Sequence, residues 1–267
     1  MSRVAIFGGT FNPPHRGHVE AACACVRQLA LDKLLLVPAG LPPHKSLPQG
    51  TPSPVHRLRM AQLCAREIPR AEVCGIELRR QGKSYTVDTV RELSRRFAGD
   101  TLWLVVGDDM LESFERWREP QEIVRFCRLA AVQRKPESAN DICACAEKLE
   151  RDLGAAVDIV HNSVLPLSST QYRDSGKEGM LLPQVAHYIE DNGLYRPRPS
   201  LAQVREKMES TLSPKRMRHT LGVEREAADL ARIWGEDIED ARLAGLLHDC
   251  TRELSVQKQL NLVEKYG

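Results

Sequence analysis

The chain has 267 residues, of which 42% are hydrophobic and 28% are charged, and its formal net charge is +2 at pH 7. This composition is typical of a soluble globular protein with one or two domains, and the small net charge predicts no nucleic-acid or membrane partner. No apolar run approaches the roughly 18 to 20 residues that cross a bilayer, and the N-terminus does not resemble a signal peptide. Eight cysteines without a Cys-x-x-Cys pair favour reduced thiols and a cytoplasmic location.

Short apolar strands alternate with helical segments over the first 160 residues. The predicted strands are residues 4–7, 33–37, 73–78, 101–106, 129–133 and 157–160, and the predicted helices are residues 18–29, 54–68, 87–97, 121–127 and 141–153. This alternation predicts an α/β fold with a Rossmann-like, doubly wound parallel sheet. Ligands of such sheets bind beyond the carboxyl ends of the strands. We therefore expect a site at that edge of the sheet. The segments that follow strands there are the glycine pair at residues 8–9, the Pro-rich loop over residues 38–45, and the polar turns at residues 107–109 and 168–170.

The pattern changes near residue 193, where the segment "NGLYRPRPS" carries a helix-ending glycine and two prolines and is typical of a linker. We predict one domain over residues 1–195 and a short all-α segment over residues 200–267. Apolar residues at helical spacing support the second assignment. They are Leu201, Val204, Met208 and Leu212, followed by Val223, Ala227, Leu230, Ala231 and Trp234.

The segment "GGTFNPPHRGHV", residues 8–19, lies between the first predicted strand and the first predicted helix. Gly8 and Gly9 would let the backbone approach a phosphate closely, and a helix N-terminus attracts anions. His15 and His18 lie three residues apart and could donate hydrogen bonds to phosphate oxygens. The spacing fits neither the Walker pattern nor Gly-x-Gly-x-x-Gly. A phosphate site is the favoured interpretation; the alternatives are a structural metal held by the histidines, for which no further ligands are obvious, or a purely structural turn.

These residues resemble the first signature of the HxGH nucleotidyltransferase superfamily, whose members often carry aspartate where this chain has Asn12. The run Ser168-Ser169-Thr170-Gln171-Tyr172-Arg173 is similar to the second signature, with Tyr172 at a commonly aliphatic position. Four further stretches, "VPAGLPPHK", "SYTVDTV", "VVGDDMLESFERW" and "LAAVQRKP", resemble the bacterial nicotinate-nucleotide adenylyltransferase family. That family transfers AMP from ATP to nicotinate mononucleotide, a step of NAD biosynthesis, and releases pyrophosphate. The resemblance extends over about residues 3 to 195.

The resemblance implies a role for each motif. His15, His18, Lys45 and Arg173 would stabilise charge on the phosphates during transfer. The acceptor nucleotide would contact Thr86, Asp109 and Trp117, with Trp117 stacking on the nicotinate ring. Mg²⁺ would accompany ATP, held mostly by water and phosphate oxygens. The ATP-binding residues implied by the two signatures are Gly8, Gly9, Thr10, Phe11, Ser168, Ser169 and Thr170.

Residues 217–254 resemble the opening of an HD-type metal phosphohydrolase, in the branch that splits dinucleoside tetraphosphates. His219, His248 and Asp249 match its first metal ligands, for a divalent metal such as iron or manganese. No histidine follows His248, so we expect an incomplete HD domain.

Three alternatives to adenylyl transfer onto nicotinate mononucleotide stay open at this point. They are transfer to another acceptor such as pantetheine phosphate, hydrolysis of dinucleoside polyphosphates by the tail, and nucleotide sensing without turnover. The sequence predicts no oligomeric state.

Overall fold

The computed structural model describes residues 1–42, 47–48, 50–133, 139–162, 167–176, 179–195 and 199–266. The chain divides into two compact units, Met1–Arg196 and Pro197–Gly267. The first unit contains the sheet and its flanking helices, and the second contains helices only in the part that the structure describes.

Six parallel strands form the sheet of the first unit. Their order across the sheet is β3-β2-β1-β4-β5-β6, so the direction of winding reverses between β1 and β4. This arrangement confirms the Rossmann-like, doubly wound fold class predicted from the alternation of strands and helices. The strands are β1 (Arg3–Gly9), β2 (Lys33–Pro38), β3 (Ala71–Val73), β4 (Thr101–Gly107), β5 (Arg128–Val132) and β6 (Val157–Val160).

Helices connect the strands and cover the sheet. Two short 3-10 helices, Glu77–Arg79 and Phe114–Arg116, lie among the connections. The α-helices of this unit are α1 (Arg16–Gln28), α2 (Pro54–Ala65), α3 (Thr86–Arg96), α4 (Asp108–Glu112), α5 (Pro120–Phe126), α6 (Ala139–Leu153), α7 (Ser169–Ser175) and α8 (Pro183–Asp191).

The core is divided between the two faces of the sheet. In β1, Val4 and Ile6 belong to one apolar cluster, whereas Ala5 and Phe7 belong to another. Successive side chains of a strand point to opposite faces, so a strand covered on both sides must be apolar at every position. This explains why the central strands have continuous apolar sequences instead of alternating ones.

The prediction of a third strand over residues 73–78 is wrong. The strand ends at Val73, Cys74 donates one last hydrogen bond to the carbonyl of Leu36 (2.8 Å), and the chain then forms the 3-10 helix Glu77–Arg79. The reason lies in Gly40 of the neighbouring connection, where a Cβ would come within 2.6 Å of the Glu77 carbonyl oxygen. The chain after Val73 therefore packs as a 3-10 helix against the connection after β2 instead of extending the strand.

The second unit consists of α9 (Leu201–Thr211), α10 (Pro214–Trp234), α11 (Ile238–Leu247) and α12 (Val256–Tyr266) among the described residues. The predicted stripe on α9 is confirmed, because Val204, Met208 and Leu212 are buried. The helix predicted from the spacing in α10 is also confirmed, but only part of that spacing faces the core: Ala231 is buried and Val223 and Ala227 are half-buried, whereas Leu230 is 47% and Trp234 77% exposed. The helix instead buries Met217, Thr220, Glu224, Ala228 and Ala231.

A polar group and a close helix contact determine which face of α10 is buried. Glu224 is 1% exposed and accepts hydrogen bonds from Arg205 of α9 (2.6 Å) and Arg242 of α11 (2.9 Å). A Cβ at Gly245 of α11 would lie 2.7 Å from the Cα of Glu224, so the two helices touch backbone to backbone there. Among the described residues, no helix combines the length and the apolar character that spanning a membrane requires.

Candidate active site

The last two residues of β1 and the turn that leads from it into α1, residues 8–15, lie at the carboxyl edge of the sheet beside the point where strand order reverses. We call these residues the first turn. A Cβ at Gly8 would meet no protein atom within 4 Å, whereas a Cβ at Gly9 would lie 3.3 Å from the ring of Phe11. Gly9 is therefore needed for packing, and Gly8 keeps the backbone accessible to a ligand.

The ring of Phe11 belongs to the core below the first turn and not to its surface. Phe11 is 1% exposed, adopts φ +47°, and packs edge-on against Phe7 and His18. A left-handed φ is uncommon outside glycine and is maintained here by the buried ring. The side chain of Phe11 is therefore inaccessible at the surface of the first turn.

His15 and His18 lie together at the start of α1. Their ring centroids are 3.8 Å apart, and His15 is buried while His18 is half-buried. The backbone N–H of His15 donates to Nδ1 of His18 (3.1 Å). Because Nδ1 accepts a hydrogen bond, the proton of a neutral His18 ring must be on Nε2. The helix start therefore orients His18 with Nε2–H as its donor side.

The second signature packs directly on the first turn, as predicted from its place after the last strand. Ser169 Oγ donates to the carbonyl of Pro13 (2.8 Å), and Arg173 Nη1 donates to the carbonyl of Asn12 (2.7 Å). Arg173 Nη2 also reaches the hydroxyl of Thr170 (3.0 Å). Two motifs about 150 residues apart in sequence are thus joined through main-chain oxygens, and the Arg173 guanidinium is held at the first turn.

Ser168 is the N-cap of α7. Its hydroxyl accepts from the backbone N–H of Gln171 (3.1 Å), and the Gln171 side chain accepts from the backbone N–H of Ser168 (2.9 Å). This reciprocal capping box fixes the start of the short helix that carries Arg173. The Ser168 hydroxyl is therefore engaged in the cap, while Thr170 is exposed.

Arg57 supports the first turn, although no motif points to it. It is 1% exposed, and its Nη1 donates to the carbonyls of Thr10 (3.0 Å) and Ala39 (2.7 Å), which links the ends of β1 and β2. Burial lowers the pKa of Arg57 below its ordinary value. The sequence does contain a signal for the burial of Arg57, because helical spacing places it on the same face of α2 as Met60, Ala61 and Cys64, which are buried.

The connection after β2 packs against the Ser84-Tyr85-Thr86 step that precedes α3. The backbone N–H of Ser84 donates to the carbonyl of Leu41 (2.9 Å). Glu77 accepts from Thr89 (2.8 Å) and from the backbone of Gly40 (3.4 Å), and burial raises its pKa. Lys45, predicted in this connection to bind the triphosphate, lies outside the described residues.

The residues predicted to bind the acceptor nucleotide come from two adjoining segments. The guanidinium of Arg118 lies over the ring of Tyr85 (4.5 Å), which brings the residue after Trp117 beside the residue before Thr86. Trp117 is half-buried and packs against the buried Phe114 (5.2 Å between ring centroids). The backbone N–H of Trp117 donates to the Phe114 carbonyl (3.0 Å), so this amide is engaged within the segment.

Asp109 belongs to α4 and follows β4 directly. Its side chain is exposed, whereas that of Asp108 is 8% exposed and accepts from the backbone N–H of Asp109 (3.0 Å). Asp108 is thus the buried first residue of α4, whose N-cap is Gly107, and of the two acidic residues Asp109 presents its carboxylate to solvent directly after β4.

The second unit brings together a set of three potential metal ligands. One ligand atom each from His219, His248 and Asp249 lies within 4.8 Å of the others. His248 Nδ1 lies 2.7 Å from the carbonyl of Gly245, as in many metal-bound histidines, and its Nε2 lies 3.5 Å from Asp249 Oδ2. Asp249 also accepts from Arg216 (3.0 Å), and nearby positive charges hold its pKa below its ordinary value despite partial burial.

Sequence comparison assigns the regions that contain these two sites to two different families. Residues 6–175 match the cytidylyltransferase-like family, and residues 216–265 match the HD domain. A probable nicotinate-nucleotide adenylyltransferase of Synechococcus sp. is 34% identical over 198 residues, covering 72% of this chain and 96% of the relative. A relative of the same name from Citrifermentans bemidjiense is 35% identical over 212 residues, covering 72% of this chain and 98% of the relative.

Solved structures agree with the fold. The nicotinic acid mononucleotide adenylyltransferase of Plasmodium falciparum, complexed with NaAD, superposes with a TM-score of 0.58 at 17% identity. The superposition covers 73% of this chain and 98% of that one. At this identity the similarity concerns the fold, whereas the sequence relatives cover nearly their whole length at more than 30% identity. The chain therefore belongs to the nicotinate-nucleotide adenylyltransferase family, within the cytidylyltransferase-like proteins, and carries an HD-type segment after it.

Proposed function

We propose that residues 1–195 form an adenylyltransferase domain that transfers AMP from ATP to nicotinate mononucleotide and releases pyrophosphate. The observation that carries the proposal is the direct contact between the two signatures, in which Arg173 and Ser169 bind the main chain of the first turn. The names of the sequence relatives support the same activity. Formation of this dinucleotide is a step in NAD biosynthesis.

In this reaction a phosphate oxygen of the acceptor attacks the α-phosphorus of ATP. A new P–O bond forms, the bond between the α-phosphorus and the bridging oxygen breaks, and pyrophosphate leaves. The attacking phosphate is already an anion near neutral pH, so no general base is needed. The protein contributes position and charge stabilisation.

The side chains in and near the first turn have distinct tasks in this scheme. His18, with its proton on Nε2, donates to a phosphate oxygen as negative charge develops, and the adjoining His15 donates beside it. Arg173 offers its guanidinium, and Lys45 its ammonium, to the β- and γ-phosphates. Gly8, Gly9, Thr10 and Phe11 would contribute main chain, and Ser168, Ser169 and Thr170, which adjoin the first turn through Ser169, would contact ATP beside them.

Mg²⁺ would accompany ATP. The groups near the first turn are mostly hydrogen-bond donors, namely imidazoles, a guanidinium and hydroxyls, so they fit phosphate better than they fit a bare cation. The triphosphate and water would supply the ligands of the ion. The ion would supply positive charge against the leaving pyrophosphate.

For the acceptor, Trp117 would stack on the nicotinate ring, Asp109 would bind ribose hydroxyls, and Thr86 would contact the ring carboxylate. Pyrophosphate release is to be measured with ATP and nicotinate mononucleotide, its amide analogue, or pantetheine phosphate. We expect a strong preference for the acid form. Equal rates with acid and amide would refute the role of Thr86, and a preference for pantetheine phosphate would refute the acceptor itself.

For the second unit we propose a divalent metal site, in residues 200–267, held by His219, His248 and Asp249. Two imidazoles and one carboxylate suit iron or manganese. Mn²⁺ titrated into the full chain and followed by calorimetry should bind with a stoichiometry near one, and Asp249→Asn should abolish the binding. Asp229→Asn, at an exposed aspartate of the same unit, is the matched control. Unchanged binding in Asp249→Asn would exclude this site.

The proposed metal makes hydrolysis of dinucleoside polyphosphates the second candidate function. Mn²⁺-dependent release of ADP or phosphate from a diadenosine polyphosphate would support it. We also propose a cytoplasmic location, which fits eight cysteines that are all free thiols in the structure.

A further inference from the structure

Asn12 is a buried junction between three separate segments of the first unit. Its side chain is 1% exposed and contacts Tyr195 through Oδ1 (2.8 Å) and Thr51 through Nδ2 (2.8 Å). Its main-chain carbonyl accepts from Arg173 (2.7 Å). One residue of the first turn thus joins the loop after β2, the helix that carries Arg173 and the segment that follows α8.

Counting hydroxyl protons fixes the direction of each hydrogen bond. Thr51 has one hydroxyl proton and donates it to the carbonyl of Pro48 (2.6 Å). Thr51 must therefore accept from Asn12, which places the amide NH₂ of Asn12 on that side and its oxygen toward Tyr195. The phenol of Tyr195 must then donate. All three side chains have a defined role as donor or acceptor, so the network has a single arrangement.

Tyr195 is held in an uncommon conformation to reach this junction. Its φ is +59°, a left-handed value that costs free energy in any residue other than glycine. Its ring packs edge-on against Tyr172 (6.0 Å between centroids), the residue directly before Arg173 in the seven-residue helix α7. Burial raises the pKa of Tyr195, which keeps the phenol protonated.

We propose that Asn12, Thr51 and Tyr195 form a positioning network that fixes the peptide group of Asn12, and through it Arg173, in the orientation used for adenylyl transfer. The inference rests on the proposed function. None of the three side chains needs to touch a substrate. The network acts on the chemical step because a shift of the Asn12 and Pro13 carbonyls moves the donors, Arg173 and Ser169, that bind them.

The chain offers a closely matched control for removing the Tyr195 hydroxyl. Tyr188 belongs to the same apolar cluster, and its hydroxyl lies 2.9 Å from His56 Nδ1, which is not part of the first turn. Tyr195→Phe and Tyr188→Phe each remove one oxygen and one hydrogen bond and keep the ring. Each should lower the melting temperature by about 2–4 °C, as the loss of one such bond does.

The kinetics should separate the two variants. With ATP and nicotinate mononucleotide, Tyr195→Phe should reduce kcat about tenfold, because small displacements of catalytic donors slow the chemical step strongly. The KM for nicotinate mononucleotide should stay within about twofold, and Tyr188→Phe should keep the kcat of the unaltered chain. Equal kcat values for the unaltered chain and both variants would overturn the inference.

A double-mutant cycle tests whether Tyr195 and Thr51 act through Asn12. Thr51→Val removes the hydroxyl that accepts from Asn12 and should reduce kcat. Thr51→Ser keeps that hydroxyl and should retain the kcat of the unaltered chain. The double variant, Tyr195→Phe with Thr51→Val, should lose little more than the worse single variant, because both disturb the same residue. Additive losses in ln kcat would contradict a shared network. If the unaltered chain releases no pyrophosphate, the proposed function fails, a result distinct from an active chain that tolerates Tyr195→Phe.

Discussion

The first turn and the triad His219, His248 and Asp249 both combine histidines with arginine, but they differ in what the arginine binds. Arg173 donates to the main-chain carbonyl of Asn12 and to the hydroxyl of Thr170, so its guanidinium is oriented by neutral oxygens. Arg216 instead donates to Asp249, one of the three potential metal ligands. The first site is organised before any ligand binds, whereas an ion in the second must compete with an existing ion pair.

The two regions also differ in burial. His15 of the first turn is 7% exposed and shielded by packing, while His219 and His248 are both exposed. Preorganised donors in a partly dehydrated site contribute most to charge stabilisation. The buried His15 is thus held in a fixed, partly dehydrated geometry, whereas the two histidines of the second unit are open to water.

The largest effect is expected for His18→Ala. The variant removes the Nε2–H donor, and kcat for pyrophosphate release should fall about a hundredfold or more, as for other lost transition-state donors. His187→Ala serves as the control, since His187 is 76% exposed and pairs with Asp191 on α8. Because His18 also accepts from the backbone of His15, circular dichroism should check that α1 persists. A His18→Ala variant with near-normal kcat would remove the catalytic role of the first turn.

A second prediction concerns the close contact between α10 and α11. In Gly245→Ala the new methyl would lie 2.7 Å from the Glu224 backbone, and overpacking of this kind costs about 1–3 kcal/mol. Gly222→Ala, on α10 with no atom within 4 Å of the added Cβ, should instead stabilise by about 0.5–1 kcal/mol. Hydrogen exchange of the α10 and α11 amides measures both changes. Similar exchange in the two variants would show that the contact at Gly245 does not limit stability.

A smaller effect is expected from the pH dependence of the second unit. Burial alone would raise the pKa of Glu224, but hydrogen bonds from Arg205 and Arg242 hold it below its ordinary value near 4.5. A carboxyl with a lowered pKa in the folded state stabilises the fold above the pKa of the unfolded chain, and this stabilisation is lost as the pH falls through the folded value.

Unfolding of α10 and α11 should therefore become easier as the pH drops below about 4.5. Glu224→Gln should flatten this dependence, and Asp249 and Glu253, whose pKa values are also lowered, should account for the remainder. Hydrogen exchange at a series of pH values provides the measurement. An unchanged slope in Glu224→Gln would mean that the buried ion pairs do not control acid stability.

Much of the candidate site follows from local patterns. The strand-to-helix position of Gly8, Gly9, His15 and His18 can be predicted because a short apolar run, a glycine pair and a helical run are adjacent in sequence. Arg173 can be predicted only through resemblance, since nothing near it in sequence shows that it returns to Asn12. Thr51, Arg57 and Tyr195 were not predicted, because their partners are 39, 47 and 183 residues away.

The sequence by itself determined the alternation of strands and helices, the parallel sheet and the two signatures, because each depends on neighbouring residues or on a recognisable motif. Tertiary structure alone decided where the third strand ends, which face of α10 is buried and how Asn12 joins the loop after β2 to Arg173 and Tyr195. Those features depend on close backbone contacts, as at Gly40 and Gly245, and on hydrogen bonds between distant segments. Such interactions arise only when the folded chain brings the segments together, and no local pattern encodes them.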